Sequence, residues 1–137
     1  MFFNKKNNKV DTNFLTKVCA LLIHAAKIDE NYTENEETII KKTLLELGCS
    51  EDDLYKTIKD AKTIEENSNQ ILDFTKEVKN MTEQDKIKIV EALWSIIYSN
   101  KDADMYETNL MRRLAGLLYI DNKTMGNIKD KIKNQNL

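Results

Sequence analysis

Proline is absent from this chain of 137 residues, and glycine occurs only three times. β-Sandwiches and β-barrels need many tight turns, and those turns draw heavily on both residues. We therefore predict an all-α fold, because a helical bundle needs few connections. The length fits one domain, and the 41% apolar content is sufficient for a hydrophobic core.

Apolar residues recur at helical spacing along seven segments. The predicted helices cover residues 12–26, 33–47, 50 to about 60, 71–78, 83–99, 104–118 and 121–132. A polar stretch at 65–69 is predicted to separate the third helix from the fourth. The fifth helix is apolar on most sides, so we place it at the centre and expect its Trp94 to be buried. Together these patterns predict a single-domain bundle over residues 12–137, preceded by a flexible tail at 1–11.

The charge balance and the spacing of the cysteines exclude several classes of function. The chain has 21 basic and 23 acidic residues, a balance that argues against nucleic acid as a partner. Cys19 and Cys49 lack the close spacing of a zinc motif, and we predict two buried thiols. His24, the only histidine, is predicted to be structural. No apolar run is long enough for a transmembrane helix and no signal peptide is evident, so we expect a cytoplasmic protein.

The two halves of the chain align without gaps when one is shifted by about 71 residues. Apolar positions, helix caps and a basic pair coincide: Val18 with Ile89, Leu22 with Leu93, Thr33 with Asp104, Ser50 with Asp121, and Lys41-Lys42 with Arg112-Arg113. Agreement of apolar positions alone is weak evidence, since the shift is close to a whole number of helical turns. The caps and the basic pair predict two pseudo-repeated helix–acidic loop–helix units.

Each predicted unit contains an acidic loop of eight residues that ends at a glutamate. The loops cover residues 29–36 and 100–107, and Leu110-Met111-Arg112-Arg113 follows the second. An apolar helix, an Asp, a polar stretch and this spaced Glu resemble the TerB family of tellurite-resistance proteins, over about residues 12–133. The chain departs from the family pattern at Glu30 and Lys101, which replace a usual Gly, and at Asn100, which replaces a usual Asp.

The resemblance implies an all-helical cytoplasmic domain linked to tellurite and other chemical stress, with no catalytic activity of its own. It also implies protein partners, including a membrane-embedded TerC-type protein, which would place the chain at the inner face of a membrane. Acidic loop residues of the family have been proposed to bind divalent cations. The family's acidic positions fall here on Asp29, Glu36 and Glu107, with Asn100 in the fourth place.

A divalent cation such as Ca²⁺ or Mg²⁺ requires several oxygen ligands. The candidate oxygen ligands of the two loops are Asp29, Asn31, Glu36, Asn100, Asp102, Asp104 and Glu107. The second loop is not an EF-hand, because Met105 occupies its glycine position and Met111 its bidentate glutamate position. We predict the first loop to be the better cation site, because the Lys101 ammonium competes with a cation in the second.

Two interpretations remain open for these carboxylates. Glu36 and Glu107 lie at the third position of their predicted helices, where capping and the helix dipole alone favour a carboxylate. Arg112 and Arg113 either reach acidic loop residues or form a solvated pair on the outer face. For the chain as a whole, the two hypotheses are a non-enzymatic binding module and, as the alternative, a small metal-dependent hydrolase using both acidic loops.

Overall fold

A computed structural model describes residues 12–27, 34–68, 72–99 and 105–135. Within these ranges every regular element is a helix, so the predicted all-α class is confirmed. The helices are α1 (Thr12–Ala26), α2 (Glu34–Glu46), α3 (Glu51–Asn67), α4 (Leu72–Val78), α5 (Glu83–Tyr98), α6 (Met105–Leu117) and α7 (Asn122–Gln135). The predicted tail at 1–11 lies outside the described residues.

Three helices begin at the caps that the sequence predicts. The Ser50 hydroxyl accepts a hydrogen bond from the Asp53 amide at 3.2 Å, which fixes the start of α3. The Thr82 hydroxyl accepts from the Asp85 amide at 3.2 Å, and α5 begins one residue later. At α7, Asp121 serves as the cap in the same way. Each cap satisfies an amide that the first helical turn leaves free. The predicted caps Thr33 and Asp104 lie outside the described residues.

The third helix is longer than predicted. We expected it to end near residue 60 and the polar stretch from 65 to separate it from α4, but α3 continues to Asn67. Ala61 is fully buried on its inner face, and the carboxylate of Glu65 contacts His24 at the end of α1 and Lys27 directly after it. Ile64 packs against the core and continues the helical spacing of Ile58 and Ala61, and these tertiary contacts together stabilise the polar residues that follow it.

The helices α1 and α5 form the centre of the bundle. Helix α1 packs against α2, α3, α4 and α5, while α5 also packs against α2 and α7. Both are apolar around most of their circumference, which is why the other helices can cover them from several sides. Trp94 on α5 is 2% exposed, so its predicted burial is confirmed. The central pair therefore carries most of the core, and each member leads directly into one of the acidic loops.

Helix boundaries in the two halves recur at the same spacing. Helix α2 begins at residue 34 and α6 at residue 105, a separation of 71, and α3 and α7 begin with the same separation at 51 and 122. The turns that end α2 and α6 also match. The Cys49 amide donates to the Leu44 carbonyl at 2.9 Å, and the Ile120 amide donates to the Ala115 carbonyl at 2.9 Å. A pseudo-twofold superposition of the two units stays a prediction.

Candidate functional site

The two acidic loops connect α1 to α2 and α5 to α6. The first follows Lys27 and ends where α2 begins at Glu34; the second lies between Ser99 and Met105. Of the predicted ligands, Glu36 is described in full, and Glu107 lies in the first turn of α6. The remaining predicted ligands lie outside the described residues: Asp29, Asn31, Asn100, Asp102 and Asp104. Convergence of the seven residues on one cation stays a prediction.

Glu36 is the buried carboxylate of the first unit. It is 1% exposed, whereas Glu34 in the same helical turn is exposed and Glu37 is half-buried. A carboxylate is almost never fully buried unless it is hydrogen-bonded, ion-paired or bound to a metal. Glu36 does engage in such a polar interaction. Its position at the N-terminus of α2 adds the favourable helix dipole. The burial is compatible with both the capping and the cation interpretations.

A charged cluster holds the end of α1 against the end of α3, directly before the first loop. One oxygen of the Glu65 carboxylate lies 3.3 Å from Nδ1 of His24, and the other accepts from Nζ of Lys27 at 2.8 Å. The Glu65 side chain is only 11% exposed, so solvent weakens these contacts less than it would at the surface. The cluster fixes the helix from which the first acidic loop departs.

Sequence reasoning missed the role of Glu65 in this cluster. His24 was predicted to be structural, and the ring does pack at 6.3 Å from the Phe74 ring, between centroids. Its carboxylate partner lies 41 positions away in a stretch that we predicted to be a connection. Only a correct end for α3 could have placed Glu65 on the helical face towards α1, so the sequence contained no direct signal for the pair.

Both cysteines are buried thiols, as predicted. Burial is the main cause that raises the pKa of Cys19 to about 12, and the nearby Cys49 raises it further. Burial also raises the pKa of Cys49, against a hydrogen bond with Thr57 that lowers it. The thiolate is the nucleophile and the metal ligand. At neutral pH both side chains are therefore protonated, and they act as small packing residues.

Two grooves open on the described surface, and both border α2. The first, of about 340 Å³, lies between α2 and α3 and has an apolar floor that includes Leu54 and Ile58. The second, of about 250 Å³, lies between α2, α5 and α7, where Lys131 pairs with Glu91 at 2.7 Å. Within the described ranges, no three His, Cys, Asp or Glu side chains come close enough together to hold a metal ion.

Arg112 and Arg113 lie on the outer face of α6, and both are exposed. Neither forms a salt bridge with any residue that the structure describes. This placement agrees with the interpretation of a solvated pair. The other interpretation, contact with Asp102 or Asp104, concerns residues outside the described ranges and stays a prediction.

The described helices define an all-α bundle built around two central helices, each followed by an acidic connection. The chain matches the family model of the tellurite resistance protein TerB over residues 15–130. It therefore belongs to the TerB family. No curated protein and no solved structure matches the chain. None of the described helices combines the length and apolar character needed to span a membrane.

Proposed function

We propose that this chain is a non-enzymatic TerB module of the cytoplasm, linked to resistance against tellurite and other chemical stress, that acts by binding partner proteins. The observation that carries the proposal is the family match, which covers the chain from α1 almost to the end of α7. The family's role therefore resides in this helical bundle itself. A membrane-embedded TerC-type protein is the partner that we propose to test first.

We further propose that the first acidic loop binds a divalent cation such as Ca²⁺ or Mg²⁺. The fully buried Glu36 supports this, because its carboxylate enters the bundle two residues after the loop ends. Asp29 and Asn31 would supply further oxygen ligands, as hard cations require. The second loop, with Asn100, Asp102, Asp104 and Glu107, is the weaker site in this proposal because Lys101 lies within it.

Calorimetric titration of the metal-free protein with Ca²⁺, Mg²⁺, Mn²⁺ and Zn²⁺ tests the cation proposal. We expect binding of at least one cation, weakened more by Asp29→Asn than by Asp102→Asn. Each substitution deletes a charge while keeping the side-chain shape, so the pair serves as a matched comparison of the two loops. Equal loss of affinity in both variants would contradict the ranking of the loops. No heat with any cation, together with no change in unfolding temperature when cation is added, would exclude the site.

Co-purification with a TerC-type membrane protein tests the interaction proposal separately. We expect the chain to remain bound through washing and to be released when its folded structure is lost. The alternative, a metal-dependent hydrolase, requires turnover of a phosphate or carboxylate ester with Mg²⁺ or Mn²⁺ present. Hydrolysis that Glu36→Gln abolishes, together with no retention by the membrane protein, would favour the hydrolase over the binding module.

A further inference from the structure

Tyr119 adopts a backbone conformation that its residue type rarely accepts. Its φ is 58°, in the left-handed region, and it is the only non-glycine residue with a positive φ in the described chain. The matching turn after α2 uses Gly48, which has no Cβ and accepts a positive φ without strain. Bulky residues persist in this region where the surrounding structure or a function requires them.

Packing of the Tyr119 side chain contributes little that would offset this backbone strain. It is 69% exposed, among the most exposed large apolar side chains that the structure describes. Two ammonium groups lie near its ring, with Nζ of Lys86 at 5.8 Å from the ring centroid and Nζ of Lys79 at 6.0 Å. Both distances are at the outer limit of a cation–π contact, so the contact itself is weak. We call Tyr119, Lys79 and Lys86 the Tyr119 patch.

The two lysines of the patch lack a carboxylate partner among the described residues. Six other lysines do form salt bridges: Lys27, Lys41, Lys56, Lys62, Lys88 and Lys131. Lys86 is the more unusual of the two, because only 6% of the residue is exposed and its ammonium contacts no described acceptor. The stem of Lys86 is packed in the bundle while its ammonium reaches the surface, where a partner can bind it. The patch therefore presents two cations and an aromatic ring without the anion that would complete it.

We propose that the Tyr119 patch is a docking site for an acidic peptide segment of a partner protein. A carboxylate of that segment would accept hydrogen bonds from the Lys79 and Lys86 ammonium groups, and the neighbouring peptide would pack on the Tyr119 ring. The proposal rests on the interaction role proposed above and assigns a surface to it. It does not involve the acidic loops, so it stands apart from cation binding.

Charge and shape favour a peptide over a membrane surface as the occupant. One exposed ring offers little apolar area for insertion, and stable membrane attachment needs more charge than two lysines supply. A carboxylate beside the largely buried Lys86 is, in contrast, a directional contact in a partly desolvated setting, where charge complementarity gives specificity. The chain as a whole has a formal net charge of −2, so the two lysines of the patch are opposite in sign to the net charge of the chain.

NMR titration of the isotope-labelled protein with a hexaglutamate peptide tests the proposal. We expect shifts of the backbone amides of Lys79, Lys86 and Tyr119, with an affinity that falls as salt is added. Lys86→Met keeps the length of the buried side chain and removes the charge, and should weaken binding about tenfold. Lys56→Met is the matched control, since Lys56 is exposed and paired with Asp60 on α3; it should bind like the wild type.

A second variant separates function from structure. Tyr119→Gly gives this turn the residue of the equivalent turn at Gly48, so we expect a higher unfolding temperature together with weaker peptide binding. A lower unfolding temperature would show that Tyr119 has a structural role and would overturn the proposal. So would equal hexaglutamate affinity in wild type, Lys86→Met and Lys56→Met, or binding to phosphatidylserine vesicles without binding to the peptide.

The same variants distinguish this proposal from the proposed function. If a TerC-type protein retains Lys86→Met as well as it retains the wild type, the module still binds its partner but uses another surface. If it retains neither, the interaction role fails while the peptide titration still reports on the patch. Cation titration of Lys86→Met should match that of the wild type in either case.

Discussion

Trp94 is the side chain whose replacement tests the described core most sharply. It is 2% exposed on the central helix α5, stacked on Tyr98 with ring centroids 5.8 Å apart, and Nζ of Lys129 lies 5.4 Å from its ring centroid. Its indole N–H is buried and finds no hydrogen-bond acceptor among the described residues. The residue therefore combines a large packing contribution with an unsatisfied donor, and the two have opposite effects on stability.

Two substitutions separate these effects. Trp94→Ala removes the whole ring and should lower the free energy of unfolding by about 3–5 kcal/mol. Trp94→Phe keeps one aromatic ring and removes the N–H. Because the smaller ring buries less apolar area, the free energy of unfolding should fall by about 1–2 kcal/mol. Removing the unpaired buried donor should raise it by about 1–3 kcal/mol. We therefore expect the free energy of unfolding of Trp94→Phe to lie between about 1 kcal/mol below and about 2 kcal/mol above that of the wild type.

Urea denaturation followed by far-UV circular dichroism is the suitable assay, because both variants lack the fluorescent indole. The dependence of the unfolding free energy on urea concentration should stay constant, while the urea concentration at the midpoint changes with stability. Tyr55→Ala provides the control, since Tyr55 is 77% exposed and should change stability by less than about 0.5 kcal/mol. A Trp94→Phe variant as unstable as Trp94→Ala would refute the reasoning, because it would mean that the indole N–H has a strong partner in solution.

Three further predictions concern caps, thiols and symmetry. A hydrogen bond from the Thr124 amide is the main cause that lowers the pKa of Asp121. The stabilisation by the ionised Asp121 is therefore complete above the usual carboxyl pKa and is lost as the pH falls through the lowered value. In Asp121→Asn, acid unfolding should lack this pH-dependent loss of stability. Because the pKa of Cys19 is about 12, iodoacetamide at neutral pH should modify it only after denaturant is added, and rapid labelling of the native protein would contradict its burial. When the two units are superposed, α1 with α2 should overlay α5 with α6 through a pseudo-twofold rotation, and clearly different crossing angles would reject the repeat.

The helices were predictable because their signals are local. Ser50 and Thr82 identify helix starts through hydroxyls that cap the next turn, and the apolar circumference of α5 identifies a central helix without reference to any other element. The end of α3 was not predictable in this way. Ala61 and Ile64 extend the apolar spacing beyond residue 60, but the polar residues after them depend on Glu65 meeting His24 and Lys27, and that pairing leaves no periodic pattern in the sequence.

The candidate site was predictable only in part. Burial of Glu36 follows from its place in the first turn of a helix that packs on the core. A buried carboxylate at this position is compatible with capping and with cation binding alike, so the burial does not distinguish them. The alignment of the two halves places Tyr119 opposite Gly48, and this was the one sequence signal for its left-handed conformation. Its exposure and its two lysine neighbours emerge only when α5, the turn after α4 and the turn after α6 are brought together.

Thermal unfolding with divalent cation and with chelator tests the proposed cation site most directly. At a free cation concentration 100 times the dissociation constant, binding to the folded state should add about 2.7 kcal/mol, which is roughly 10 °C in midpoint for a domain of this size. Asp29→Asn should lose most of that increase, and Asp102→Asn should keep it. If Glu36 is only a cap, Glu36→Gln should cost a few tenths to ~1 kcal/mol equally with cation and with chelator. Equal midpoints with cation and chelator in the wild type and both Asn variants would contradict the account and leave a helix-capped interaction domain.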